Sequence, residues 1–313
     1  MRISRLFSPI VLLLLALCLF PLPKGRAEGA AAWVVADCAT GFILDSSNPT
    51  RKLQIGSLTK IATAMVVLDW AEAEKRDVNE LASVPNSGAG LNSGPCAGLT
   101  PGDRVTLRDL LYAALMQSDN TAAETLAVHV GSALGRGPAG EAFVAQMNAL
   151  ARRVGMTRTR FLNAHGLDGL EKSDPFSTAE DLAKLVAYAM DSAAFRFYVS
   201  QRERKISIET VAGEQTSYLL RNTNELLGVD AIDGVKTGTT KKAGGCVAIS
   251  AAKAPESRQA GEKVVITPRR LNVIVLGSGD RFGVAKGLLE RGWQRYDAWA
   301  AAGRPLKGWK AGR

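Results

Sequence analysis

The chain has strand-like apolar runs at both ends and helical spacing between them. Residues 33–37 and 42–45 read as two strands joined at Ala39-Thr40-Gly41, a hairpin signal. Residues 55–68 are apolar on every side over two turns, so this helix has to lie inside the protein. From about 106 to 200 the signals are helical. Thr106 with Asp109 caps 107–116, 121–130 forms a second helix, and 141–154 a third, stopped by Gly155. Ser177 with Glu180 makes a capping box for 178–190. After 203 strands return at 205–210, 245–251, 264–267 and 271–276, and a final helix covers 282–299. The helical block, about 70–200, is an insertion between strand-forming ends. This order predicts an α/β protein: one antiparallel sheet built from both ends of the chain and flanked by helices, an inserted all-helical subdomain, and a cleft at their junction.

The amino terminus changes the picture of where such a protein works. Arg2 and Arg5 precede an apolar run over 10–20, and Gly25-Arg26-Ala27 offers small residues for cleavage, so 1–27 reads as a signal peptide and the mature domain as 28–303. The run is shorter than the ~20 apolar residues of a membrane span. Leu17 before Cys18 argues against lipidation there. Removing the leader takes four basic residues and no acid, so the formal charge falls from +9 to +5. The basic residues are scattered, with no zinc-finger spacing and no RNP-like segment, which excludes a nucleic-acid partner. Three cysteines remain, Cys38, Cys96 and Cys246, expected as mostly free thiols. His129 and His165 stand alone, so no metal site is expected, and no cofactor is called for. A short basic tail, 304–313, follows, with no amphipathic anchor helix. The expectation is an exported protein, in the periplasm or on the envelope exterior, without a stable membrane anchor.

Candidate chemistry begins inside the buried helix. Ser57 and Lys60 stand three positions apart, so their side chains share a helix face. Burial raises the cost of an ammonium, so Lys60 can exist as the neutral amine that deprotonates Ser57. A Ser-x-x-Lys match alone is common, and a lone serine and lysine opening a core helix is the bland alternative. Two partners decide against it. Ser118-Asp119-Asn120 follows Ser57 by 61 residues, and Lys236-Thr237-Gly238 follows that motif by 118. Ser-x-x-Lys, Ser-Asp-Asn and Lys-Thr-Gly in this order are the signature of penicillin-binding proteins and class A β-lactamases.

With these motifs the chain resembles the serine-type D-alanyl-D-alanine carboxypeptidases, the low-molecular-mass penicillin-binding proteins. The likeness extends to Gly98-Leu99-Thr100-Pro101-Gly102-Asp103, Asn163-Ala164-His165-Gly166-Leu167, 176–182 and Ala243-Gly244-Gly245-Cys246. It implies a β-lactamase/transpeptidase-like fold and removal of the terminal D-alanine from peptidoglycan stem peptides through an acyl-Ser57 intermediate, with β-lactams as inhibitors. By the same resemblance Lys60 accepts the Ser57 proton and Ser118 relays it to the leaving amine. Asn120 holds Lys60 and the substrate amide, Lys236 supplies positive potential, and Thr237 of Lys236-Thr237-Gly238 binds the substrate carboxylate. The N–H groups of Ser57 and Thr239 meet the oxyanion. Arg270 resembles the family's carboxylate-binding arginine, with Arg269 as its neighbouring alternative. His165 is read as a structural hydrogen-bonding residue rather than a catalytic one. Asp119 also suits a class A β-lactamase, but that enzyme needs a glutamate in a loop after the second motif, and no Glu occurs from 144 to 170. A D,D-endopeptidase and a non-catalytic muropeptide or β-lactam sensor are the other readings; the intact polar set speaks against the sensor.

Overall fold

A computed structural model of the chain describes residues 29–135, 137–169, 173–261 and 263–307. The expected signal peptide and the last residues of the expected tail lie outside the described residues. The first strands, β1 (Ala30–Asp37) and β2 (Ile43–Ser47), form the predicted hairpin. The chain then turns through Gly56–Leu58 into the buried helix α1 (Thr59–Ala73). Two short strands follow, β3 (Leu81–Ser83) and β4 (Arg104–Thr106), and then α2 (Leu107–Tyr112), α3 (Asn120–Leu134), α4 (Ala139–Arg153), α5 (Ala179–Asp191) and α6 (Ala193–Val199). Strands β5 (Glu203–Glu209), β6 (Gln215–Arg221), β7 (Ile232–Thr240), β8 (Gly244–Ala260) and β9 (Lys263–Ser278) lead to α7 (Arg281–Ala301).

The main sheet has the order β2-β1-β9-β8-β7 and is antiparallel throughout, so both ends of the chain build it. Alternation along the strands divides the core in two. Val34, Ala248 and Ile274 face α1 and α5, whereas Val35, Ile249 and Val273 face α7, which covers them with Leu288, Trp293 and Trp299. Helix α1 lies in the larger layer, with its first nine residues all buried, as its all-round apolar pattern requires.

The inserted block is helical in its mass, but it is not helical alone. Its strands β3 and β4 join β5 and β6 in a second sheet of order β3-β4-β5-β6. Strands of three residues carry too little periodicity to be seen in sequence. The Thr106 cap is as expected, accepting from the Asp109 N–H at 3.1 Å. The cap of α5 is one residue later than expected: Thr178, not Ser177, accepts from Asp181 N. Ser177 is instead buried, with its hydroxyl paired to Thr159 and its backbone bridging to Leu53.

Strand β8 runs well past 251, where its apolar pattern ends, and the strands expected separately at 264–267 and 271–276 are one continuous strand, β9. The outer halves of β8 and β9, from Lys253 to Pro268, zip together as a hairpin exposed over most of its length. A bulge between Lys253 and Glu256 accommodates Pro255, which has no N–H for the ladder. Pro305 accepts a hydrogen bond from the Trp299 indole at 3.0 Å, and Arg304 pairs with Glu256 at the base of the hairpin.

Candidate active site

The Ser57 turn depends on close backbone packing. Gly56 adopts φ +52°, in the left-handed region that glycine enters freely. Edge strand β7 passes so near this turn that a Cβ on Gly238 would lie 2.8 Å from the Ile55 carbonyl and 3.1 Å from Ser57 N. Only glycine lets the third motif lie against the first. From this turn Ser57 faces the cleft, and Lys60, one helical turn on, reaches back toward it.

Lys60 is fully buried, and its Nζ has three neighbours: Ser57 Oγ at 2.9 Å, Asn120 Oδ1 at 2.6 Å and the His165 carbonyl at 2.8 Å. Two of these oxygens can only accept, so they claim two N–H groups. The third direction points at Ser57. When the amine is neutral, its lone pair takes that direction. Burial brings the Lys60 pKa down from 10.5 to about 7, against an opposing pull from the Asp119 carboxylate.

The second motif sits where α2, widened over its last turn Ala113–Gln117, breaks before α3. Ser118 takes the left-handed conformation, φ 66°, that closes the break, and its hydroxyl lines the cleft with no protein partner among the described residues. Asp119 caps α3 through Ala122 N at 2.9 Å and also accepts from Asn92 Nδ2 and Ala97 N, both at 3.0 Å. It therefore pins the 92–97 loop that forms one lip of the cleft. Asn120 directs Oδ1 to Lys60 and one amide N–H to the Leu91 carbonyl at 2.8 Å. The other amide hydrogen has no protein acceptor among the described residues.

Lys236 is buried as well. Its amine donates to the Thr237 carbonyl at 3.1 Å. Burial, with the nearby positive charges of Lys60 and Arg281, holds its pKa well below the ordinary lysine value. Thr237 Oγ lies 2.7 Å from Thr223 Oγ, whose own proton goes to the Met116 carbonyl at 3.1 Å. Thr237 therefore donates to Thr223, and an incoming carboxylate competes for that proton.

One expectation about side chains near the cleft changes. Arg270 does not reach it. Held on β9, with β8 between it and β7, it forms a two-pronged pair with Asp233 on β7 at 2.7 and 2.8 Å and donates to Ser250 Oγ on β8. Arg269 lies farther out, paired with Asp297 and Glu256. The guanidinium beside β7 in the cleft belongs to Arg281, the first residue of α7, which donates to the Gly238 carbonyl at 3.1 Å and to Thr239 Oγ at 2.6 Å. One sequence signal could have found it, because a cation in the first turn of a helix opposes the helix dipole and needs a compensating reason. His165 contributes through its backbone. Asn163 Oδ1 accepts from Gly166 N at 2.6 Å, and this turn presents the His165 carbonyl to Lys60. The imidazole is buried and neutral, its pKa lowered to about 3 by burial and by Lys60.

The cleft between these groups has a volume of about 830 Å³. Among the described residues that line it there are two arginines and no carboxylate. No group of three or more His, Cys, Asp or Glu among the described residues is placed to hold a metal. A nucleophile beside a neutral base, under positive potential and near close-packed backbone N–H groups, suits attack on the carbonyl of an anionic amide and transfer of its acyl group.

Comparison with known proteins agrees with this chemistry. Residues 23–266 match the family described as D-alanyl-D-alanine carboxypeptidase. The D-alanyl-D-alanine carboxypeptidase DacC of Escherichia coli K12 is 32% identical over 69% of this chain, and the match spans 51% of that protein, about half of its length. The D-alanyl-D-alanine endopeptidase of Pseudomonas aeruginosa is 35% identical over 72% of this chain and 68% of its own. Among solved structures, the Streptomyces K15 DD-transpeptidase superposes with a TM-score of 0.72 at 27% identity, covering 85% of this chain and 97% of that one. Penicillin-binding protein D2 from Listeria monocytogenes, solved with cefotaxime bound, gives 0.65 at 28% identity, covering 85% and 97%.

Proposed function

This chain belongs to the D-alanyl-D-alanine carboxypeptidase family, and from that premise we propose that it is a serine D,D-carboxypeptidase that removes the terminal D-alanine of peptidoglycan stem peptides. The observation that carries the reading is the Lys60 amine, held by two acceptor oxygens so that its third direction faces Ser57 Oγ at 2.9 Å.

The substrate carboxylate enters the positive end of the cleft, taking the Thr237 proton from Thr223 and meeting Arg281, with Lys236 behind them. Ser57 Oγ attacks the carbonyl between the two D-alanines while its proton passes to Lys60. The oxyanion is met by the N–H groups of Ser57 and Thr239. The C–N bond then breaks, the leaving amine takes a proton relayed through Ser118, and D-alanine departs from an acyl-Ser57 ester. Water attacks that ester, giving a proton back through Lys60, and the C–O bond to Ser57 breaks. Asn120 keeps one amide hydrogen for the substrate backbone while its oxygen holds Lys60. A β-lactam opens on the same serine, but its leaving nitrogen stays tethered and obstructs the path of water. The cleft offers no described carboxylate to activate that water, which supports slow deacylation and not β-lactamase turnover.

The place of action follows from the substrate, which lies outside the cytoplasm. The leader read at 1–27 supports export, with the mature chain starting near Glu28. No helix among the described residues is long and apolar enough to cross a membrane. The reading is tested by fluorescent penicillin labelling followed by a D-alanine release assay on purified 28–313. Label and release together are expected. Label without release fits a sensor, and rapid loss of label fits a β-lactamase.

A further inference from the structure

A second cavity, of about 640 Å³, lies beside the catalytic cleft and has no described lining residue in common with it. Thin walls of chain separate the two spaces. Leu91 lines the cavity and Asn92 the cleft, while Asn163, Ala164 and His165 line the cavity and Leu167 the cleft. These walls carry the groups that orient the catalytic residues. The Leu91 carbonyl holds Asn120, the His165 carbonyl holds Lys60, and the Ala164 carbonyl accepts at 2.6 Å from Thr63 Oγ, on the same helix as Lys60. Helix α4 also lines the cavity, and its Asn148 binds the Phe161 backbone in both directions, at 2.9 and 3.0 Å.

Charges of both signs line this space and are not used by the fold. The side chains of Glu141 and Arg160, both exposed, have no partner among the described residues. Glu124 gives one carboxylate oxygen to Ser87 Oγ at 2.7 Å and leaves the other open. His165 adds a buried donor. Its ring is 3% exposed and its Nδ1 accepts from Leu167 N at 3.2 Å, so the proton sits on Nε2 and has no protein acceptor among the described residues. A buried donor without an acceptor is costly, and an oxygen in the cavity would satisfy it. Two carboxylates, a guanidinium and an imidazole N–H around one space complement a group with an ammonium and a carboxylate on one carbon. Free D-alanine is such a group, but the volume lies within the ~300–1,000 Å³ range of pockets for drug-sized ligands, which suits a peptide better.

We propose that this cavity is a second, non-catalytic site that binds a stem peptide through a diamino residue whose side chain ends in an ammonium and a carboxylate. The ammonium meets Glu124 and Glu141, and the carboxylate meets Arg160 and His165 Nε2. The occupant steadies the 163–165 turn, which keeps the His165 carbonyl on Lys60 and the lysine lone pair toward Ser57. The inference rests on the carboxypeptidase reading for the identity of its ligand.

For the test, purified 28–313 is first acylated on Ser57 with penicillin, which fills the cleft, and peptide binding to the remaining protein surface is measured by calorimetry. The probes are a tripeptide stem ending in that diamino residue, the same tripeptide with lysine in its place, and free D-alanine. The first tripeptide is expected to bind and the lysine tripeptide, which lacks the side-chain carboxylate, to bind more weakly. Arg160→Ala should weaken the first tripeptide by about two- to five-fold, the range of an exposed ion pair, and narrow the gap between the two. Glu141→Gln should weaken both by a similar factor. Neither variant should alter penicillin labelling without peptide. In unacylated wild type the first tripeptide at saturation should speed labelling about five-fold, the low end of coupling between sites, and the two variants should blunt that rise. An unchanged or lowered labelling rate overturns the coupling to Lys60. D-alanine binding as tightly as the tripeptide overturns the peptide as ligand. A penicilloyl adduct that binds none of the three probes overturns the site and leaves the parent reading standing, whereas failure to form the adduct overturns the parent reading itself.

Discussion

Lys60 offers the most direct test of the chemistry, because its burial makes a quantitative pH prediction. Burial takes its ammonium from 10.5 down to about 7, which at 1.36 kcal/mol per pH unit is roughly 5 kcal/mol of selective destabilisation of the charged form. At pH 7 about half of Lys60 is then neutral, whereas an ordinary lysine would be neutral in only about 0.03% of molecules, so burial supplies on the order of 10³ more base. The second-order rate of acylation by a fluorescent penicillin should therefore rise about 10-fold per pH unit below 7 and level off above about 8. Lys60→Arg keeps a cation and its donors but does not give up a proton in this range, so it should acylate at least ~10²-fold more slowly at every pH. Lys60→Ala should abolish labelling of a protein whose thermal melt shows that it is folded. A flat profile from pH 5 to 9, an inflection near 10.5, or wild-type labelling by Lys60→Arg would refute the reasoning. The same burial sets a stability slope. The folded pKa lies below the unfolded one, so between about pH 7 and 10.5 the unfolded chain holds more protons, and stability attributable to this group rises with pH across that window. Below pH 7 its full cost is present.

Three further outcomes follow from the geometry. Gly238→Ala would drive a Cβ into the Ile55 carbonyl and toward Ser57 N, so it should cost about 1–3 kcal/mol in thermal or urea unfolding and slow penicillin acylation. Acylation kept at the wild-type rate would show that β7 need not lie so close. Arg281→Ala should lower kcat/KM for peptides ending in a free carboxylate by roughly 10- to 100-fold, whereas Arg270→Ala should leave KM in place and cost about 1–3 kcal/mol of stability, because it strands Asp233; the reverse pattern in a parallel kinetic and melting comparison would restore Arg270 to the site. On intact mass, a penicilloyl adduct on Ser57 should persist for minutes, and D-alanine release should outpace penicillin turnover by at least about 10-fold, or roughly 1.4 kcal/mol between deacylation barriers. Clearance within seconds would move the assignment to a β-lactamase.

Much of this protein is legible in the chain because the relevant physics is local. The three-residue spacing of Ser57 and Lys60 places them on one helix face wherever that helix sits, and the all-round apolar run that follows can only be buried. Thr106 caps its helix through a residue three positions away. The order of Ser118, Asn120 and Lys236 after Ser57 named the chemistry without any coordinates. Tertiary structure decided what depends on distant segments meeting. Which oxygens orient Lys60 is settled by Asn120 and by the His165 carbonyl, 60 and 105 residues away, and no local pattern marks a backbone carbonyl as a ligand. Arg270 and Arg281 lie only eleven positions apart, but Arg270 on β9 reaches across β8 to Asp233 at the start of β7, while the first turn of α7 carries Arg281 across Gly238 and Thr239. The outer half of β8 and the short strands β3 and β4 left no periodic trace, since backbone pairing alone forms them and periodicity records only which side chains are buried.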